Sequence, residues 1–270
     1  MSQLVSALGD GLVVTKRNLI KIKRVPDLLV FTTMQPIMFV VLFAYVFGGA
    51  IAVEGVNYRE FLMAGIFAQT VIFGATLTGA GLADDMQKGV IDRFRSLPMS
   101  RSAVLVGRTF SDLLNNVIVV IVMALTGLVV GWRIHTSMLE ALGGFGLLLL
   151  FSFAFSWVMA YVGLIVPTVE VVNNAAFIVL FPVTFIASTF VPLTSLPEPL
   201  ETIAAWNPVT TLSESGRILF GNVPANVDLR NVSDAWSMQH PAIYTLICAG
   251  LILVIFVPLS VRKYRSATTK

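Results

Sequence analysis

Six windows of about twenty apolar residues, each closed off by charge or proline, leave this chain few folds to adopt. A helix needs about 20 such residues to cross the ~30 Å hydrocarbon layer of a bilayer. The windows are 28–49, 61–83, 103–131, 141–166, 175–191 and 241–261. The third combines the apolar run Leu113–Gly131 with an extension, Ala103–Asp112. Only 12% of the 270 residues are charged, against about a quarter in a soluble domain. So few charges cannot cover a soluble surface. The reading is one all-α integral membrane domain, residues 1–270, with six transmembrane helices.

The charges that remain give an orientation. Fourteen of the eighteen Lys and Arg fall before the first window, between the second window and the third apolar run at Leu113, or after the sixth window. Cytoplasmic segments carry this excess, so both termini are expected in the cytoplasm. Before the first window, Leu4, Leu8, Leu12, Leu19 and Ile22 share a helical face. Lys16, Arg17, Lys21 and Arg24 lie opposite or on the flank. That pattern predicts an amphipathic helix in the membrane interface, its cations among lipid headgroups; a merely basic tail is the alternative. The apolar run that follows is too long and too late for a cleavable signal.

Asp84–Arg101 is the longest charged segment between two windows. Met86, Val90, Phe94 and Leu97 are spaced four, four and three apart. They predict one apolar stripe, with Asp85, Lys88, Asp92 and Arg95 opposite and Pro98 ending the helix. Such a helix either lies under the bilayer or grips a partner. Gly89 is costly in a helix of this length and suggests a close approach. Arg108 and Asp112, one turn apart, are placed to pair at the cytoplasmic end of the third window. Asn115 and Asn116 read as helix–helix hydrogen bonds. Ala75, Gly79 and Gly81 offer a small-residue packing face. No carboxylate lies clearly at mid-membrane, which argues against a proton- or sodium-coupled transporter.

After the short fifth window the chain becomes proline-rich. Ser195, Pro197 and Glu198 signal one helix start. Asn207 followed by Pro208 signals a second, and Gly221 a stop. These predict two short helices on the outside that either dip into the outer membrane face or cap the bundle. Residues 222–239 read as an exposed loop. His135 and His240 read as solvated loop residues, and Cys248, the single cysteine, excludes an intrachain disulfide. No phosphate loop, HExxH, GxSxG or paired His/Cys spacing occurs. The chain is therefore expected to be no enzyme, to bind no metal or cofactor, and to have no nucleic-acid partner.

Two stretches, KGVIDRFRSLPMSR (88–101) and VPLTSLPEPLETIAAWNPVT (191–210), together with the topology, resemble the membrane subunit of type-2 ABC exporters. The likeness is to the permeases of the daunorubicin-resistance type. The family often has Glu where Asp92 stands, and Leu-Leu in place of Phe94 and Arg95. The resemblance implies a separate ABC ATPase subunit, which binds ATP and Mg, and a second permease subunit, identical or related. It implies a coupling helix with Met86, Lys88, Gly89, Val90, Ile91, Asp92, Arg93, Phe94, Arg95, Leu97 and Pro98. The outer gate would be re-entrant, around Pro192, Pro197, Pro199, Trp206, Asn207 and Pro208. Gln35, Phe39, Gln69, Phe73, Phe181 and Phe185 are candidate residues of a substrate path near spans one, two and five. The implied function is export of hydrophobic or amphiphilic compounds (drugs, natural products or lipids) across the cytoplasmic membrane. Lipid-linked glycan export, or a non-transporting assembly or immunity role, would use the same topology.

Overall fold

The structure, a computed structural model, describes residues 15, 20, 26–48, 51, 53, 55–91, 103–223 and 234–266. All regular structure among them is helical. The helices are α1 (Pro26–Leu42), continued by a π-helical turn at Phe43–Phe47, α2 (Tyr58–Gly74), α3 (Thr76–Gln87) and α4 (Ala103–Val130). Then follow α5 (Met138–Ile165), α6 (Val169–Ile186), α7 (Glu198–Ala205), α8 (Pro208–Phe220), α9 (Trp236–Gln239) and α10 (Pro241–Ser266), with a 3-10 turn at Leu193–Ser195. Among the described residues, five segments are long and apolar enough to cross a membrane: α2 with α3 (Tyr58–Gln87), α4, α5, α6 and α10. The apolar part of α1, Thr33–Val46, is shorter.

The helix ends follow local chemistry rather than hydropathy. Asn57 caps α2, its side chain accepting from Arg59 N at 3.0 Å. Ser137 and Glu140 form a reciprocal capping box that starts α5 at Met138, ahead of the apolar window at 141. The fifth window, expected at 175–191, is instead a helix over Val169–Ile186. Thr168 caps it, and Asn173 and Asn174 lie inside it. Hydropathy placed that helix too late because it counted those two amides as boundary residues. The released segment Ala187–Phe190 is buried and presses on α2. A Cβ on Gly65 would come within 2.0 Å of Thr189 O.

The α2–α3 unit is the hub. About 78% of its most apolar stretch is buried, against 22% for α6 and 11% for α10. The latter two helices therefore turn their apolar sides outward, as lipid-facing or partner-facing helices do. α3 crosses α5 in backbone contact: a Cβ on Gly163 would sit 2.3 Å from Gly79 O. The small-residue face read around Gly79 is thus a packing face. Gly81 has another use, since its missing side chain admits the guanidinium of Arg108.

The two ends of the bundle differ. One gathers Leu82, Ile91, Val104, Leu105, Leu164 and Tyr264 into an apolar cluster. Thr15 joins that end, its Oγ1 donating to Gly107 O at 3.1 Å. The other end holds Arg59, Trp132, His135 and α8. Consecutive long helices thus alternate in direction. The ends assigned to the cytoplasm from charge alone lie together.

Candidate functional site

Halfway along the bundle, α1, α2–α3 and α4 part to leave a cleft of about 240 Å³. It lies at the junction within the hub. Ala75, at φ −65° and ψ −18°, separates α2 from α3, and Thr76 Oγ1 donates to Phe73 O at 2.7 Å. Beside this junction, Asn116 of α4 donates through Nδ2 to Ser152 Oγ of α5 at 2.8 Å, and Ser152 Oγ donates to Val71 O at 3.1 Å. A Cβ on Gly74 would lie 2.1 Å from Asn116 Oδ1, so any side chain there would displace the amide. On the third side Pro36 sits inside α1, where it removes one backbone donor and loosens the helix.

The lining divides by chemistry. Gln35, Gln69, Thr70, Thr76, Asn115 and Asn116 are polar and uncharged; Pro36, Phe39, Phe73, Leu77 and Val119 are apolar. Thr70 Oγ1 and Asn116 Oδ1 are buried without a hydrogen-bond partner among the described residues. Four residues of the expected path, Gln35, Phe39, Gln69 and Phe73, line this one cleft. Asn115 and Asn116, expected as inter-helix hydrogen bonds, line it as well. The third wall is α4, not the fifth span.

Phe181 and Phe185 lie outside the cleft but are linked to it by stacked rings. Phe177, exposed on α6, leads to Phe181 at 5.0 Å, Phe181 to Phe185 at 4.1 Å, and Phe185 to Phe190 at 4.9 Å. Phe190 then stacks on Phe43 at 4.3 Å and Phe39 at 6.0 Å. An aromatic row thus joins the exposed face of α6 to a cleft wall. Phe190 is buried and holds the row together. Its position in the segment after α6 gave no periodic signal in the sequence.

Asp112 and Arg108 pair at 3.3 Å at one end of α4. Thr78 Oγ1 donates to Asp112 Oδ2 at 2.7 Å, and Arg108 Nη2 donates to Leu77 O at 3.1 Å. These bonds tie α4 to α3 below the cleft. The stripe read from Met86 to Leu97 is interrupted. α3 ends at Gln87, and Gly89 follows at φ +62°. There it accepts a left-handed backbone that side-chain-bearing residues resist. Among the described residues nothing stands within 4 Å of where its Cβ would be, and the turn is what requires the glycine. Met86 and Val90 are therefore not neighbours on one helix. Asp85, expected on the face opposite the apolar stripe, is buried. Lys88 pairs with Asp84 at 2.7 Å, and Ile91 belongs to the apolar cluster at this end. Asp92, Arg93, Phe94, Arg95, Leu97 and Pro98 lie outside the described residues, as do Lys16, Arg17, Lys21 and Arg24.

At the opposite end the proline-rich segment folds inward. Pro197 precedes α7, and Pro199 is in its first turn. Asn207 caps α8, accepting from Val209 N at 2.9 Å, and Pro208 opens it. Gly221 closes α8 at φ +72°. Trp206 is exposed, its carbonyl accepting from Tyr244 Oη at 2.9 Å, and Pro192 precedes the 3-10 turn. Ten of the thirteen residues of α8 are buried, wedged among α2, α5 and α10. At 1.5 Å per residue the helix is about 20 Å long, too short to cross.

Arg217 of α8, read from sequence as an external charge, is 1% exposed. Its Nε donates to Phe61 O at 3.0 Å, and Nη1 donates to Ser188 Oγ at 2.9 Å and to Glu214 Oε1 at 2.6 Å. Nη2 donates to Ser188 O. The guanidinium carbon lies 3.6 Å from the centre of the Phe61 ring. One side chain thus clamps α2, the segment after α6, and α8. The signal available in the sequence was Glu214, one turn before Arg217 in a half-apolar helix. Nearby, Trp132 Nε1 donates to Asn222 Oδ1 at 2.6 Å, and His135 Nε2 lies 2.8 Å from Glu60 Oε1. His135 is thus partnered, and Asn222 is buried rather than in an exposed loop.

Comparison with known proteins gives the family. The profile of the ABC-2 type transporter matches residues 11–220. This chain belongs to the ABC-2 type transporter family. The ABC-2 chain is 30% identical over 250 residues to the daunorubicin resistance ABC transporter permease protein DrrB1 of Streptomyces coeruleorubidus, covering 93% of this chain and 84% of that one. It is 27% identical to the putative transport permease ycf38 of Cyanophora paradoxa, over 78% of this chain and 73% of that one. It is also 24% identical to the probable doxorubicin resistance permease DrrC of Mycobacterium tuberculosis, over 87% and 80%. The family match takes in the cleft, the aromatic row and α8, so all three are parts of the ABC-2 unit.

Proposed function

We propose that this protein is the permease subunit of an ATP-driven exporter that moves hydrophobic or amphiphilic compounds out across the cytoplasmic membrane. The observation that carries the reading is the uncharged cleft halfway along the bundle. An amphiphile already partitions into the bilayer, so a path for it needs apolar walls and neutral hydrogen-bonding groups rather than fixed charges. The names of the similar permeases, which speak of daunorubicin and doxorubicin resistance, support a drug-like cargo. In this reading α1 with its π turn is the sixth span: seventeen plus five helical residues reach about 33 Å.

Energy arrives from a separate ATPase, since the chain has no phosphate loop. The ATPase grips the end that carries Lys88 and the segment through Arg101, which faces the cytoplasm with both termini. Two permease subunits pair, and the outward apolar sides of α1 and α6 supply the surface for this. α8, held by Arg217, forms the outer gate.

The test is reconstitution with the ATPase encoded beside it. ATP-dependent movement of an amphiphilic dye is expected, together with dye-stimulated ATP hydrolysis. Asp92→Ala and Phe94→Ala should leave membrane insertion intact and separate hydrolysis from movement. No ATP-dependent movement across a panel of neutral and cationic amphiphiles would defeat the exporter reading.

A further inference from the structure

We infer that the cleft between α1, α2–α3 and α4 is a binding site within a single subunit. Its ligand is an uncharged, ring-bearing molecule, or one such part of a larger molecule, that brings an N–H or O–H donor. All of its lining residues come from one chain. Only the claim that the ligand is cargo rests on the exporter reading; binding stands on the cleft alone.

Asn116 sets the donor requirement. Ser152 Oγ commits its proton to Val71 O, so it can only accept from Asn116. That fixes Nδ2 towards Ser152 and leaves Oδ1, a pure acceptor, as the unpartnered atom. The amide oxygen lies against Gly74, itself a lining residue, where a Cβ would be 2.1 Å from it. Thr70 Oγ1, on the adjacent helix, is likewise without a partner and can donate or accept. Both residues are more than nine-tenths buried. An unsatisfied polar atom in such surroundings is costly, and a ligand group that completes it recovers that cost.

The rest of the lining sets the other two features. The rings of Phe39 and Phe73 offer faces for stacking. No lining residue is ionisable, so a charged ligand would lose its hydration without gaining a counter-charge. At about 240 Å³ the cleft is smaller than the ~300–1,000 Å³ usual for drug-sized ligands. It therefore suits a two- or three-ring molecule or moiety.

The experiment uses two probes with one skeleton. N-phenyl-1-naphthylamine is neutral and carries one N–H; 8-anilinonaphthalene-1-sulfonate adds a fixed negative charge. Fluorescence titration of the purified full chain in nanodiscs, against empty nanodiscs, should show saturable binding of the neutral probe at one site per chain. The sulfonate should bind at least tenfold more weakly. Thr70→Val removes an atom with no protein partner, so the variant should fold and melt no lower than the parent. It should nevertheless bind the neutral probe about fivefold more weakly, the value of one hydrogen bond. Asn116→Leu should weaken binding further, though it also breaks the bond to Ser152. Absence of saturable binding, equal binding of the two probes, or unchanged affinity in Thr70→Val would each overturn the site. Binding as described, without ATP-driven movement of the probe, would keep the site and remove the probe from the cargo.

Discussion

Arg217→Met tests the clamp that holds α8 in the bundle. The substitution keeps an unbranched apolar stem of similar reach and removes the guanidinium. Three things are then lost together: the donors to Phe61 O and to both oxygens of Ser188, the cation over the Phe61 ring, and the partner of Glu214. Glu214 is only 6% exposed, and its remaining bond is the hydroxyl of Ser188 at 2.6 Å. Removing one member of a buried ion pair costs about 3–5 kcal/mol, chiefly because the other charge is left stranded. At about 2–4 °C per kcal/mol for a chain of this size, the apparent melting temperature should fall by on the order of 10 °C. Adding Glu214→Leu should restore much of that loss, since it removes the stranded charge. The assay is thermal unfolding of the detergent-purified protein, followed by size-exclusion fluorescence. A fall of under 2 °C in Arg217→Met, or a double variant no more stable than the single, would refute the view that the ion pair is desolvated and holds α8.

Three further perturbations follow from the packing. Gly163→Val should force α3 from α5, because even a Cβ would lie 2.3 Å from a backbone oxygen, and the purified protein should aggregate; Gly250→Ala, with nothing within 4 Å, should elute unchanged from a sizing column. At Gly89 the left-handed backbone costs a side-chain-bearing residue about 1–2 kcal/mol, so melting temperatures should rank Gly, then Asn, then Ala, then Val; equal values for all four would remove the turn argument. Phe190→Ala should lower stability by about 3–5 kcal/mol, as large-to-small changes at buried aromatics do, whereas Phe181→Ala, 37% exposed, should shift the melting temperature little.

Much of the site was legible because amides and aromatics at mid-window stand out against aliphatic residues. Gln35, Phe39, Gln69 and Phe73 stand out in this way, and all four line one cleft. The hidden parts were those whose meaning depends on a distant partner. Gly74 is unremarkable until Asn116 is seen against it. Arg217 looked like one of a few external charges, and only the fold brings Phe61 and Ser188 to it. Asp85 and His135 misled for the same reason, since a charge beside an apolar window reads as solvated unless its neighbours are known.

The sequence alone determined an all-helical membrane protein, its family, and which loops share a side. These depend on sums over many residues, namely apolar runs of bilayer length and the bias of Lys and Arg, and sums tolerate local error. It also placed both ends of α8, because Asn207, Pro208 and Gly221 act on the backbone within a residue or two of themselves. Tertiary structure decided the rest: that Asn116 packs on Gly74, that α4 rather than α6 closes the cleft, and that α8 is wedged into the bundle by a buried cation. Each is set by contacts between residues tens of positions apart in the chain. Hydrogen-bond satisfaction inside a dry bundle fixes those contacts, and no local pattern of residue types records them.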